Sequence, residues 1–84
     1  MIIEPKSIGI RSRIKILKKD ETIIMEIDRK SRIIMKDGEK IISNATIIKN
    51  NFDLPVELHT SAPVCSKTRN YLEEIEIKVK ALDS

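Results

Sequence analysis

Pro55-Val56-Glu57-Leu58-His59-Thr60-Ser61-Ala62-Pro63-Val64-Cys65-Ser66-Lys67-Thr68-Arg69-Asn70-Tyr71-Leu72-Glu73-Glu74-Ile75-Glu76-Ile77-Lys78-Val79-Lys80 holds three elements in succession. Pro55 to Thr60 alternates apolar and polar side chains as a short strand. Ser61-Ala62-Pro63 is a helix-start signal, with a hydroxyl to cap and a proline ready for the first turn. Val64, Thr68, Tyr71, Leu72 and Ile75 then recur at helical spacing and predict a buried stripe. Ile75 to Lys80 alternates again as the last strand. A strand, helix and strand in that order make a right-handed crossover between parallel neighbours, so a mixed sheet covered by helices is expected.

Upstream, Ile8, Ile10, Ser12, Ile14 and Ile16 alternate with residues that include Arg11, Arg13 and Lys15, the period-two pattern of a half-buried strand. Lys18-Lys19-Asp20 is a turn into a second strand from Glu21 to Asp28, and the two pair as an antiparallel hairpin. Ser31 to Asn51 supports two readings. Arg32 to Lys36 followed by Asp37-Gly38 looks like a strand entering a hairpin, whereas Ile34, Ile41, Ala45 and Ile48 share one helical face after Asp37 as N-cap. A short strand at Ser31 to Lys36 with a helix from about Gly38 to Asn50 satisfies both. An all-β meander competes, because Gly38, Ser43, Asn44 and Thr46 lower the helix propensity.

The expected order is therefore an N-terminal β-hairpin followed by strand, helix, strand, helix and strand in one small α/β domain spanning residues 1–84. Eighty-four residues leave room for one core, which excludes two-domain enzymes. At 40% hydrophobic and 35% charged, with a net charge of +3, the composition is that of a folding chain and not of a disordered one. No run is long enough to span a membrane, and Met1-Ile2-Ile3-Glu4-Pro5 lacks the basic start and apolar stretch of a signal peptide, so a cytoplasmic location is expected. One cysteine and one histidine, Cys65 and His59, cannot supply the four ligands of a structural zinc site, and no metal or cofactor is expected. A core this small and an open edge on the hairpin favour a homodimer.

Cys65 is the candidate for chemistry. In the first turn of a helix that follows a strand, a thiolate meets free N–H groups and the positive end of the helix dipole. Arg69 lies one turn along the same face and Lys67 adds positive potential. Ser66 and Thr68 offer hydroxyl donors to a thiolate or to a bound oxyanion. His59, just upstream, is a candidate base toward the thiol or a substrate, or alternatively a surface residue. The competing reading makes Cys65 a small buried hydrophobe with no reactivity.

The run from His59 to Arg69, followed by Leu72-Glu73-Glu74, resembles the active-site strand, loop and helix of the glutaredoxin-linked arsenate reductases and their Spx-type relatives, over about Val56 to Val79. The resemblance implies a thioredoxin-like fold in which Cys65 is the nucleophile or redox thiol, and it rests on Cys65, Ser66, Thr68 and Arg69 in a Cys-x-x-[Ser/Thr]-Arg pattern. A second class of function is a non-catalytic module that binds protein or nucleic acid. Arg11, Arg13 and Lys15 would contact phosphates. Against that, Phe52 and Tyr71 are the only aromatics, and Glu21, Glu26 and Asp28 can pair with the basic stripe. Asn44-Ala45-Thr46 fits a glycosylation pattern but falls within the expected helix, and carries no function.

Overall fold

The computed structural model describes residues 2–10 and 14–82. It contains a five-stranded mixed sheet and two helices, as the alternating pattern implies. The strands are β1 (Ile2–Ile3), β2 (Lys15–Lys19), β3 (Thr22–Ile27), β4 (Val56–Thr60) and β5 (Lys78–Ala81), in spatial order β1-β2-β3-β4-β5. The helices are α1 (Met35–Phe52) and α2 (Ser66–Glu74). β1, β2 and β3 are antiparallel neighbours, whereas β3, β4 and β5 run parallel and are joined through α1 and α2.

Ile3, Ile16, Met25, Leu58 and Val79 form one cross-strand row, and Ile23 lies beside Val56. All of these are buried and share a core with Ile41, Ala45, Ile48 and Leu72 of the helices, so both helices cover the same face of the sheet. Alternation sends the intervening residues to the opposite face, where Lys15, Glu26, His59 and Lys80 form one row and Leu17, Ile24, Glu57 and Lys78 another.

Several boundaries differ from the sequence expectation. Ile8 closes a 3-10 turn over Pro5–Ile8, and Gly9 takes φ +87°, a left-handed conformation that breaks an extended run. The first hairpin strand therefore starts at Lys15, with Ile10 and Ile16 still buried; Arg11, Ser12 and Arg13 lie outside the described residues. Lys18 and Lys19 belong to β2, opposite Ile23 and Thr22, and the turn is Asp20-Glu21, with Asp20 at φ 57°.

The strand expected at Ser31 to Lys36 reduces to one parallel bridge between Ile33 and Val64, and the meander alternative is overturned by an 18-residue helix. Helix α1 starts three residues before Gly38 because its N-cap is Ile34. Asp37, read as the cap, is instead the third helical residue, and its carboxylate accepts the Ile34 N–H at 3.0 Å. At the other end Asp53, at φ 52°, closes the helix through its N–H to the Lys49 carbonyl.

Ser61-Ala62-Pro63 does not start α2. Its residues form a loop whose Pro63 carbonyl accepts the Ile33 N–H, and Cys65 is the N-cap. Of the expected stripe, Thr68 and Leu72 are fully buried and Val64 partly, but Tyr71 (39% exposed) and Ile75 (36%) face outward. The helix ends at Glu74, Glu76 adopts φ 67°, and β5 begins three residues later than the alternation suggested.

Candidate functional site

The carboxyl ends of parallel strands are where open α/β sheets present binding loops. Here two such loops meet. Residues 28–34 follow β3 and lead to α1, and residues 61–65 follow β4 and lead to α2. Ile33 donates its N–H to the Pro63 carbonyl at 2.9 Å, and Cys65 donates its N–H to the Ile33 carbonyl at 3.0 Å. The Thr60 hydroxyl anchors the second loop, donating to the Ile27 carbonyl at 2.7 Å and accepting the Ala62 N–H at 3.1 Å. Ser61 donates its hydroxyl to the Asp28 carboxylate. The amino ends of α1 and α2 are thereby held side by side.

Cys65 is partly exposed at the N-cap of α2. An N-cap side chain faces the first free amides of its helix, a place ordinarily taken by an oxygen acceptor. The neutral thiol closes no side-chain cap bond. The N–H groups of Lys67 and Thr68 nonetheless favour negative charge on sulfur, and they hold the Cys65 thiol below its ordinary pKa. The Arg32 guanidinium and the Thr68 side chain add to the effect, and desolvation opposes it.

Thr68 supplies a second, separate observation. It is 0% exposed, and its hydroxyl has no hydrogen-bond partner. A buried orphan hydroxyl costs about 1–3 kcal/mol. A thiolate is a far better acceptor than a neutral thiol, and the Thr68 side chain is among the causes that lower the thiol's pKa. The methyl of Thr68 packs over Gly38 of the neighbouring helix, where a Cβ would stand only 3.0 Å from Thr68 Cγ2.

The residues singled out in the sequence separate into two groups. Cys65, Ser66, Lys67 and Thr68 fall together at the start of α2, with Ser66 and Lys67 exposed and Thr68 buried. Arg69 shares the helix, but its guanidinium reaches the Val79 carbonyl of β5 at 3.4 Å, and the cation acting on sulfur is Arg32. Arg32 was not expected there, because its nearness to Cys65 depends on the long-range bridge between Ile33 and Val64. His59 is not brought to the thiol. Alternation along β4 sends it to the sheet face opposite α2, where Nε2 lies 3.0 Å from Glu57 Oε1 and Lys80 Nζ lies 3.3 Å from the same oxygen. These partners hold the Glu57 carboxyl below its usual range, the hydrogen bond with His59 contributing most.

Of the basic stripe read as a phosphate contact, Lys15 is exposed and stands opposite Glu26, as cross-strand pairing suggested; Arg11 and Arg13 lie outside the described residues. Among the described residues no group of three or more histidine, cysteine, aspartate or glutamate side chains is placed to hold a metal, and no helix is long and apolar enough to cross a membrane. Comparison with protein families, with curated proteins and with solved structures returns no match.

Proposed function

We propose that this domain is built around a reactive thiolate at Cys65, used as a nucleophile in redox or thiol-transfer chemistry. The observation that carries the reading is the fully buried Thr68 hydroxyl, which has no hydrogen-bond partner and stands beside the N-cap thiol, whose negative charge it would favour. The amides of Lys67 and Thr68 and the charge of Arg32 act in the same direction. The similarity of Cys65-Ser66-Lys67-Thr68-Arg69 to the arsenate reductase and Spx-type motif supports the same use of the sulfur. A chain with a single cysteine forms no internal disulfide, so its thiol chemistry requires an external partner and suits a reducing compartment such as the cytoplasm.

Alkylation by iodoacetamide at neutral pH tests this. The parent reacts several-fold faster than a free model thiol because more of it is thiolate, and Thr68→Val slows it without loss of fold. A parent no faster than the model thiol overturns the reading.

A binding module is the second reading, favoured by the sheet face opposite the helices, where Lys15, Lys78 and Lys80 are exposed beside the partly buried Leu17 and the buried Ile24. A homodimer or an acidic partner would use that face, and charge reversal at Lys15 and Lys80 would then abolish association while Cys65→Ser would not.

A further inference from the structure

The two loops joined by the Ile33–Val64 bridge also gather charge. Residues 28–37 and 61–69 together carry six basic side chains (Arg29, Lys30, Arg32, Lys36, Lys67 and Arg69) against two acidic ones, Asp28 and Asp37. That local excess of four exceeds the +3 of the whole chain. Both acids are already engaged, Asp28 by Ser61 and Asp37 by Arg29 at 2.7 Å and by the Ile34 N–H. Of these, Arg32, brought to the sulfur by the bridge, and Lys67, in the first turn of α2, stand at the amino end of α2, so side chains add to the positive backbone end there.

We propose that the thiol partner of Cys65 is a small disulfide bearing carboxylates, drawn in and oriented by Arg32 and Lys67 beside the α2 amino end. This rests on the thiolate reading and adds the substrate class. In the exchange the Cys65 thiolate attacks one sulfur of the disulfide along the S–S axis. A Cys65–S–S–R bond forms, and the original S–S bond breaks. The departing thiolate leaves with the electron pair and takes a proton from water according to its own pKa. Cys65 is oxidised to the mixed disulfide as one half of the partner is reduced. With no second cysteine in the chain the reaction halts there until an external thiol reverses it.

Three disulfides of similar size test the charge preference: dithiodipropionate (anionic), hydroxyethyl disulfide (neutral) and cystamine (cationic). The rate of mixed-disulfide formation is followed by mass spectrometry, each divided by the rate for a free reference thiol. The expected order at low salt is anionic, neutral, cationic, with at least about fivefold between the extremes. The order collapses at high ionic strength and in Arg32→Ala. It persists in Lys19→Ala, which removes the same charge at the opposite end of the strands. Fast iodoacetamide alkylation with equal normalised rates for the three disulfides, or with cystamine fastest, overturns the anionic preference and leaves the thiolate reading intact. Slow alkylation with no faster exchange than the reference thiol overturns both.

Discussion

Arg69 stands one helical turn beyond Cys65, and in the sequence that spacing makes it the natural cation for the thiolate. In the fold its guanidinium extends to the Val79 carbonyl, and Arg32 acts on the sulfur in its place. Arg32→Ala therefore raises the thiol pKa, whereas Arg69→Ala leaves it where it is, as the pH dependence of alkylation will show for each variant. The grouping of Cys65, Ser66, Lys67 and Thr68 at one helix end was legible from spacing over a single turn, although the start itself falls at Cys65 and not at Ser61-Ala62-Pro63. Arg32 was not, because its place is fixed by a bridge between residues far apart in the chain. His59 was misplaced for a simpler reason. Proximity in sequence says little where strand alternation sends neighbours to opposite faces, and His59 lies across the sheet from α2, bonded to Glu57.

The elements themselves carry two further expectations. Asp37 caps α1 from its third position and pairs with Arg29, and the Arg29 hydrogen bond, followed by the Ile34 N–H, holds its carboxyl below the usual range. A carboxyl depressed by folding adds stability above its unfolded pKa, and that stability is lost as the pH falls through its folded value. Asp37→Asn should thus cost about 1 kcal/mol near pH 7 and almost nothing in strong acid, measured by urea unfolding at both. A loss that is the same at the two pH values would show that the charge has no part in it. Gly38 of α1 packs directly against Thr68 of α2. Alanine at an interior helix position ordinarily gains up to about 1 kcal/mol over glycine. Here its Cβ would press on Thr68 Cγ2 at 3.0 Å, and Thr68 is fully buried with a branched side chain that has little freedom to yield. Gly38→Ala is expected to destabilise and to raise the thiol pKa. Thr68→Ser, which removes the methyl and keeps the hydroxyl, should restore both in the double variant. Helix α1 itself could be read from Ile41, Ala45 and Ile48, but its start could not, because Ile34 is an apolar N-cap that no propensity rule selects.

The whole molecule is a sheet with one face buried under two helices, and the row Ile16, Met25, Leu58 and Val79 runs through its core. Leu58 is fully buried on the central parallel strand. Leu58→Ala should cost about 2–5 kcal/mol, a large part of the stability of a domain this small, and shift its urea midpoint to much lower concentration, as circular dichroism would show. The second hairpin strand and the parallel unit were legible because alternation and helical spacing are strong in both, whereas the alternation from Ile8 misled, since only Lys15 and Ile16 of that run lie in β2. The short β1 was not, because two isoleucines carry no period. Ile2 is 72% exposed while Ile3 enters the core. Their pairing with β2 is a long-range outcome, and it covers an edge that the hairpin would otherwise have left open. The same topology places Cys65, Arg32 and both helix amino ends at the carboxyl ends of the parallel strands, so the site is a consequence of the crossovers and not of any one motif.

One titration bears on that site above all others: the ultraviolet absorbance of the Cys65 thiolate against pH, taken as the difference from Cys65→Ser and repeated in Thr68→Val. The midpoint should lie clearly below the roughly 8.5 of a free thiol and move upward when the Thr68 hydroxyl is removed. A midpoint at or above that value, or one unchanged in Thr68→Val, would show that the helix amino end and the buried hydroxyl do not serve the sulfur.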